Sequence, residues 1–270
     1  MVPSPSPQTP PVVLCLSGHD PSGGAGIQAD IESLHAIGCH PCTVITALTV
    51  QDTRDVRRVL PQQAACLLEQ AAAVVEDLPV AAVKIGLLGS AELASAVARL
   101  LASLAPVPVV LDPVLAAGGG GELASAELLE RLRCELLPLA TVLTPNAPEA
   151  RRLAGLDGPL DRCAEVLLAA GCGHVLITGT HEAEGAEVVN RLYHRNGSRR
   201  WTWPRLPHSY HGSGCTLAAA LAGFLALGHG VEAAAIEAQA YTWQALAAGR
   251  RLGRGQHLPA RGWRPPGEAN

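Results

Sequence analysis

The stretch His211-Gly212-Ser213-Gly214-Cys215-Thr216 decides how the rest of the chain is interpreted. It follows a predicted strand at residues 200–206 and opens an apolar helix of small residues that begins near Leu217. Two glycines let the backbone turn tightly and approach a ligand closely. The helix that follows directs its unpaired N–H groups and the positive end of its dipole at the same spot. Such a loop suits a phosphate group, although a glycine-rich loop alone can equally serve only to cap a helix.

The composition favours one large domain with a sizeable core. The chain has 270 residues, of which 48% are hydrophobic and only 16% are charged. A net charge of -4 gives no reason to expect nucleic acid or an anionic membrane as a partner. No apolar run reaches the roughly 20 residues that span a bilayer, and residues 1–11 lack the charge and apolar core of a signal peptide. We therefore expect a cytoplasmic protein.

Eight cysteines are scattered through mostly apolar segments, and Cys39 and Cys42 form the only CxxC pair. A zinc site would need a second such pair, which the sequence lacks. We expect most of the cysteines to be small buried residues in a reducing compartment. Cys215 is the exception, because the start of a helix favours a thiolate over a thiol.

The basic residues exclude one common nucleotide-binding loop. Lys84 is the only lysine of the sequence, and a P-loop needs a lysine within its glycine loop. P-loop kinases are therefore not favoured. Lys84 itself falls in a predicted buried strand at residues 80–87, where a lone ammonium is costly, so we expect it to reach a partner.

Predicted strands and helices alternate along the chain. The strands are expected at 12–16, 43–50, 80–87, 107–111, 141–144 and 174–177, and the main helices at 27–37, 91–104, 126–135, 217–227 and 231–248. This alternation predicts an α/β fold, with a mostly parallel central sheet and helices on both faces. We expect one domain at 12–250, between a disordered tail at 1–11 and a C-terminal tail at 251–270.

Two local signals refine that prediction. Asn196-Gly197 is typical of the turn of an antiparallel hairpin. A short extra strand is predicted at 56–60, and Pro61 is expected to begin a helix at its first turn. Two roles stay open for this short strand, which can belong to a small lid or to the edge of a homodimer.

Polar side chains follow most of the predicted strands, where ligands bind in parallel α/β sheets. They are Asp20, Gln51, Asp112, Asn146, Glu149, Thr178 and the loop at 211–216. We therefore predict one site with carboxylates, amides and a phosphate-type loop, which suits Mg²⁺ and a nucleotide. Two members have simpler readings: Asp112 can cap a turn, and Glu149 can be a first-turn carboxylate stabilised by the helix dipole.

Six stretches resemble motifs of one known family. They are Ser17-Gly18-His19-Asp20-Pro21-Ser22-Gly23-Gly24-Ala25-Gly26-Ile27-Gln28-Ala29-Asp30, residues 44–53, Lys84-Ile85-Gly86-Leu87-Leu88, Val110-Leu111-Asp112-Pro113-Val114, Leu143-Thr144-Pro145-Asn146-Ala147-Pro148-Glu149-Ala150 and residues 211–217. They resemble the hydroxymethylpyrimidine/phosphomethylpyrimidine kinases, a family with the ribokinase-like fold, and the resemblance covers about 12–249 with the motifs in order. The resemblance implies a phosphotransferase that uses ATP and Mg²⁺. It would phosphorylate 4-amino-5-hydroxymethyl-2-methylpyrimidine and then its monophosphate for thiamine biosynthesis.

The resemblance also implies a role for particular residues. Contacts with the pyrimidine are implied for Gln51, Gly18 and Asp30. Contacts with the nucleotide are implied for Asn146 and Thr178.

The acidic residues and the glycine loop take the remaining implied roles. Asp112 and Glu149 correspond to the acidic groups near Mg²⁺. Gly212, Ser213 and Gly214 correspond to the anion hole. Cys215 stands where the wider ribokinase group has an aspartate as base, and it is the candidate general base here.

Departures from the family pattern keep other functions open. Thr178-Gly179-Thr180-His181 replaces the usual Lys-Gly-Gly-His, and the loop at 117–121 lacks the usual lysine and aspartate. Arg205 could supply a cation in their place. The alternatives are a pyridoxal or pyridoxine kinase and a non-catalytic sensor that binds the pyrimidine without turnover.

Overall fold

Continuous apolar runs form the strands at the centre of the molecule, and amphipathic segments form the helices around them. The computed structural model describes residues 9–116, 120–182 and 185–262. The strands are β1 Val12–His19, β2 His40–Gln51, β3 Val56–Pro61, β4 Val80–Ile85, β5 Val109–Leu111, β6 Val142–Leu143, β7 His174–Ile177, β8 Glu187–His194 and β9 Gly197–Pro204. The helices are α1 Gly26–Ile37, α2 Ala64–Asp77, α3 Ala91–Ser103, α4 Ala126–Arg131, α5 Ala147–Ala154, α6 Leu160–Ala169, α7 Ser213–Ala226 and α8 Val231–Ala247.

All of these strands belong to one sheet, in the order β3-β2-β1-β4-β5-β6-β7-β8-β9. The six strands from β2 to β7 pair in parallel, whereas β3, β8 and β9 are antiparallel to their neighbours. The hairpin predicted at Asn196-Gly197 joins β8 to β9. The predicted α/β architecture with a mostly parallel sheet is therefore confirmed.

Two apolar cores lie on opposite faces of the sheet. Successive residues of β1 alternate between them: Leu14 and Leu16 face helices α2 to α6, and Val13 and Cys15 face α1, α7 and α8. This alternation follows from the two-residue period of a strand. Because both faces are covered, polar groups can gather only at the strand ends.

Several predicted boundaries shift in the structure, and two of these shifts change an interpretation. Pro61 ends β3 instead of starting a helix, and α2 begins at Ala64. Proline is tolerated there because β3 is an edge strand, where a missing N–H donor leaves no gap in the sheet. Helix α7 begins at Ser213, four residues before the predicted start, so the glycine loop forms its first turn.

The ends of the chain are described only in part. Residues 1–8 and 263–270 lie outside the described residues, so the predicted tails stay predictions there. The described part of the predicted C-terminal tail packs against the domain, where Arg261 is only 2% exposed. Within the described residues, no helix is both long and apolar enough to cross a membrane.

The only lysine of the sequence is buried in an ion pair between strand β4 and helix α1. The Lys84 ammonium lies 2.8 Å from Oδ1 of Asp30 and donates to Ser17 Oγ at 2.9 Å. Burial alone would lower the pKa of Lys84, but the Asp30 carboxylate outweighs it and holds the pKa above its ordinary value. The expectation that Lys84 reaches a partner is confirmed.

Removing the ammonium should leave an uncompensated buried carboxylate. We expect Lys84→Met to lower the free energy of unfolding by about 3–5 kcal/mol. The double change Lys84→Met/Asp30→Leu should recover most of that loss, because it removes both buried charges. Urea denaturation measures both, with Arg131→Met as a control in the exposed Arg131–Glu135 pair. A Lys84→Met protein as stable as the control would contradict the role of this pair.

Candidate active site

The predicted site lies at the carboxyl ends of the parallel strands, where helix α7 begins. Gly212 precedes the helix with a φ of 78°, and the first intrahelical bond runs from Thr216 N to Gly212 O at 3.0 Å. The N–H groups of Ser213, Gly214 and Cys215 precede that bond and have no partner within the helix. The turn therefore offers a cluster of donors to an anion.

Only glycine fits at the tightest points of this turn. A Cβ on Gly212 would lie 1.9 Å from the carbonyl oxygen of Gly24, and a Cβ on Gly24 would lie 2.2 Å from the ring of His211. The turn before α1 and the turn before α7 therefore interlock at van der Waals contact. This contact fixes the start of α7 relative to the end of β1.

Asp112 follows β5 and faces the start of α7. A Cβ on Gly214 would lie 3.8 Å from Oδ2 of Asp112, and the aspartate is 5% exposed. Burial raises the pKa of Asp112 to about 7, the Glu149 and Asp30 carboxylates add to the rise, and Lys84 opposes it. The negative charge of this carboxylate is thus disfavoured until a cation arrives.

Cys215 lies in the same first turn of α7. The structure corrects the prediction that its side chain is a thiolate. Burial raises the pKa of Cys215 to about 12, and Asp112 and Asp30 raise it further against Lys84. The thiol therefore holds its proton at neutral pH. Sequence reasoning counted the helix terminus and could not count the desolvation and the two carboxylates.

Glu149 lies in a capping box at the start of α5. Its Oε2 accepts a hydrogen bond from Asn146 N at 3.0 Å, and Asn146 Oδ1 accepts one from Glu149 N at 2.9 Å. Its Oε1 accepts from Leu115 N at 3.0 Å. Both carboxylate oxygens therefore accept hydrogen bonds from backbone amides, as expected of a first-turn carboxylate, and the predicted place of Glu149 near Mg²⁺ stays a prediction. Through its hydrogen bond from Leu115 N, the Glu149 side chain also fixes the loop that follows Asp112.

The residues present can hold Mg²⁺ through Asp112. Among the described residues, no group of three or more His, Cys, Asp or Glu side chains is arranged to hold a metal ion. Mg²⁺ does not need such a cage, because it commonly takes one or two carboxylates together with water and substrate phosphates. Asp112, a buried carboxylate whose charge is disfavoured, suits that role beside the anion-binding turn.

A second polar cluster joins the two interlocked turns, and sequence reasoning missed its centre. Asp20 Oδ2 lies 2.8 Å from Nε2 of His211, and Gln51 Nε2 lies 3.4 Å from the same nitrogen. Asp20 also accepts hydrogen bonds from the amides of Ser22 and Ala25, both at 2.8 Å. Burial would raise the pKa of Asp20, but hydrogen bonds from His211, Gln51 and Ser22 hold it well below its ordinary value.

The members of this cluster lie far apart in the sequence, which does not show that they contact one another. In the sequence, His211 is the first residue of the predicted phosphate-type loop, and Asp20 is one of several polar residues that follow strands. Their position beside two separate glycine turns was the available signal, because glycine turns mark close backbone approach. The order of the strands in the sheet decides that the turn before α1 lies against the turn before α7.

Gln51 lines a cavity of about 400 Å³ beside that cluster. The other lining residues come from three separate segments and are Pro21, Ser22, Asp52, Thr53, Arg54, Gly253 and Arg254. The predicted contact of Gln51 with the pyrimidine stays a prediction, and this cavity is where it would be made.

Gly18 and Asp30, the other two residues predicted at the pyrimidine, are buried. A Cβ on Gly18 would lie 3.0 Å from Leu87, and Asp30 is fully buried against Lys84. Their contact with a substrate stays a prediction, and for Asp30 it would require the pair with Lys84 to open.

A second cavity, of about 160 Å³, lies on the other side of the start of α7. Thr178, Ser213 and Gly214 line it, and Trp203 and Trp243 form an apolar wall with ring centroids 6.5 Å apart. A flat apolar wall beside anion-binding amides suits a nucleotide, whose base stacks while its phosphates take the amides.

The rim of the second cavity carries the arginine that the sequence suggested. Arg205 donates from Nε to Gly185 O at 2.8 Å and from Nη1 to Thr180 O at 3.2 Å. A cation thus lies beside the loop that follows Thr178. The predicted glycine loop at 117–121 falls mostly on residues 117–119, which lie outside the described residues.

Comparisons with known proteins agree on a kinase. The family model described as phosphomethylpyrimidine kinase matches residues 20–260. The hydroxymethylpyrimidine/phosphomethylpyrimidine kinase of Streptomyces coelicolor is 41% identical, covering 95% of this chain and 96% of that one.

Two solved structures share the fold. The pyridoxal kinase of Staphylococcus aureus in complex with ADP is 27% identical with a TM-score of 0.86, covering 94% of each chain. The phosphomethylpyrimidine kinase of Clostridium difficile is 36% identical with a TM-score of 0.76, covering 87% of this chain and 99% of that one.

The raised pKa of Asp112 should make stability depend on pH. The native protein keeps the Asp112 proton up to about pH 7, whereas the unfolded chain loses it near pH 4. The contribution of this proton to the free energy of unfolding is therefore complete below pH 4 and is lost as the pH rises to 7. We expect Asp112→Asn to remove that loss, so that its advantage over the unchanged protein grows by about 2–4 kcal/mol between pH 4 and pH 8. Urea denaturation in EDTA at both pH values measures it. An advantage that does not change with pH would contradict this assignment.

Proposed function

Because this chain belongs to the phosphomethylpyrimidine kinase family, with the ribokinase-like fold, we propose that it transfers the γ-phosphoryl group of ATP to 4-amino-5-hydroxymethyl-2-methylpyrimidine and then to its monophosphate. The product would be the pyrophosphate used for thiamine biosynthesis. The observation that carries the proposal is the position of the start of α7 between two cavities. His211 on one side contacts Gln51, and Ser213 and Gly214 on the other side line the cavity walled by Trp203.

That position is what a phosphoryl transfer between two small molecules requires. The hydroxyl oxygen of the pyrimidine attacks the γ-phosphorus in line, the bond from that phosphorus to the β,γ-bridging oxygen breaks, and ADP leaves. In the second step a phosphate oxygen of the monophosphate attacks in the same way. Charge spreads over the transferred oxygens, so catalysis rests on positioning and on donors aimed at that charge.

The residues would divide this work by position. Gln51 would orient the pyrimidine from its cavity, and the turn that Gly212 opens would hold the transferred phosphoryl group through the amides of Ser213, Gly214 and Cys215. Thr178 would lie beside the nucleotide, and Asn146 would support the site through its capping box. Asp112 would hold Mg²⁺, which supplies neutralisation of phosphate charge when bound, while Glu149 fixes the loop beside it.

Cys215 would act as a neutral thiol in the resting protein. With a pKa of about 12 it holds its proton at pH 7, which weakens its candidacy as a resting general base. Phosphoryl transfer through a loose transition state needs little help from a base before the new bond forms. The hydroxyl proton can leave late, to the transferred phosphoryl oxygens or to solvent.

A pyridoxal kinase is the second candidate, and one observation favours it. The backbone is closer in TM-score to the pyridoxal kinase of Staphylococcus aureus than to the phosphomethylpyrimidine kinase of Clostridium difficile, 0.86 against 0.76. Sequence identity favours the pyrimidine, since it is 36% to the latter and 27% to the former. Side chains choose between ring alcohols, so identity carries more weight here than backbone similarity.

The cellular setting follows from the same proposal. A kinase of small diffusible substrates that consumes ATP would work in the cytoplasm. A homodimer stays a prediction, supported by the exposed apolar residues Leu48, Val50 and Leu60 on neighbouring strands β2 and β3.

ADP formation with Mg²⁺-ATP tests the function directly. We expect turnover with hydroxymethylpyrimidine and with its monophosphate, and a kcat/KM at least about tenfold lower with pyridoxal. Gln51→Leu should raise the KM for the pyrimidine about tenfold, since it removes one hydrogen-bonding side chain while the cavity keeps its size. Turnover only with pyridoxal would favour the second candidate, and saturable binding without any turnover would identify a sensor.

Cys215→Ala separates a base from a neutral neighbour of the reacting group. We expect kcat to fall less than about tenfold and its pH profile between pH 6 and 9 to keep its shape, because no thiolate is present to lose. Initial rates over that pH range measure both. A fall of about 10²–10⁴-fold, with loss of a limb of the profile, would instead establish Cys215 as the general base.

A further inference from the structure

The chain that follows α8 returns to the candidate active site and contacts the loops beside both cavities. Gln256 N donates to Thr53 O at 2.8 Å, two residues beyond Gln51. His257 N donates to Ser209 O, and His211 N donates to His257 O, both at 2.9 Å. The C-terminal segment, defined here as residues 250–262, is therefore hydrogen-bonded to the loop of each cavity.

Arg261 ends this segment beneath the glycine turns. It is 2% exposed, and its Nε donates to Thr216 Oγ1 at 2.8 Å in the first turn of α7. Its Nη1 lies 3.0 Å from Glu32 Oε2 on α1, and its Nη2 donates to Gly24 O. The guanidinium thus spans α1, α7 and the turn between β1 and α1.

These contacts bear on the anion-binding turn in two ways. Thr216, which accepts from Arg261, itself donates to Gly212 O at 2.8 Å and so holds the residue that opens α7. The carbonyls of Gly23 and Gly24 are negative dipoles beside amides that must bind phosphate, and the guanidinium engages both of them. The guanidinium reaches four acceptors, Thr216 Oγ1, Glu32 Oε2, Gly23 O and Gly24 O, with a planar fork of five donors, whereas an ammonium has only three donors.

We propose that Arg261 is a positioning residue for phosphoryl transfer, which holds the two glycine turns in register so that the amides at the start of α7 converge on the γ-phosphate. This role rests on the proposed function for its kinetic consequence, but its effect on anion binding does not depend on which alcohol is phosphorylated. Arg261 touches no substrate in this role and acts through Thr216, Gly23 and Gly24.

Substitution in the full-length protein tests the role. We expect Arg261→Gln to lower kcat about 10- to 100-fold while the KM for the pyrimidine changes less than about threefold, because small displacements of transition-state donors cost rate and the Gln51 cavity is untouched. Arg261→Lys should recover part of the loss, since it keeps the charge without the fork. Arg162→Gln, in the exposed Arg162–Glu165 pair on α6, is the matched control and should behave like the unchanged protein.

Nucleotide binding supplies a readout that general destabilisation would not reproduce. Calorimetric titration of Arg261→Gln should show AMP-PCP with Mg²⁺ bound about tenfold more weakly, while AMP, which lacks the β- and γ-phosphates, changes less than about twofold. This comparison remains valid if the unchanged protein phosphorylates no pyrimidine, so failure of the proposed function is distinguishable. Equal losses for the two nucleotides would overturn the proposal.

A second variant decides the matter if Arg261→Gln does not fold. Thr216→Val keeps the shape of the side chain and removes the acceptor of Arg261 Nε together with the hydroxyl bond to Gly212. It should show the same selective loss in kcat and in AMP-PCP binding, at about three- to tenfold. A folded Thr216→Val or Arg261→Gln protein with an unchanged kcat would overturn the role of Arg261.

Discussion

The site depends on one buried positive charge. Lys84 is fully buried under the start of α7, where Asp30 and Asp112 supply two carboxylates and Cys215 a thiol. Its ammonium pairs with Asp30. It also opposes the rise in the pKa of Asp112 and of Cys215, although burial has the larger effect and both pKa values are raised. Without that charge, two carboxylates would face each other in a medium of low dielectric, which is costly. The buried ammonium therefore permits an acidic residue to lie beside the anion-binding turn at all.

Close backbone contact sets the geometry around that charge. The turns before α1 and α7 meet so closely that a side chain on Gly24 or Gly212 would overlap its neighbour. Asp20 and His211 then join the same turns through side chains, and Arg261 joins them from beneath. Three independent connections hold the two glycine turns together. The proposed phosphoryl transfer would depend on these connections, since donors for a transferring phosphoryl group must already be in place when charge develops.

The two cavities differ in chemistry, and the proposed function would use that difference. The cavity beside Gln51 is lined by polar and arginine side chains, which suits a small ring with exocyclic polar groups. The cavity beside Trp203 and Trp243 offers an apolar wall and the helix amides, which suits a base followed by phosphates. Arg205 and Thr178 both line that second cavity, so its rim carries a cation.

The sequence alone determined the alternating α/β fold, the hairpin at Asn196-Gly197 and the gathering of Gln51, Asp112 and the 211–216 loop at the strand ends. These follow from hydrophobic period and turn chemistry, which act over a few residues and can be read locally. Only the tertiary structure decided the partners of Lys84 and Arg261, the use of both Glu149 oxygens by backbone amides, and the proton on Cys215. Each of these depends on desolvation or on contacts between distant segments, such as the 54 residues that separate Lys84 from Asp30. Burial and long-range pairing are properties of the packed chain, so no local pattern could have supplied them.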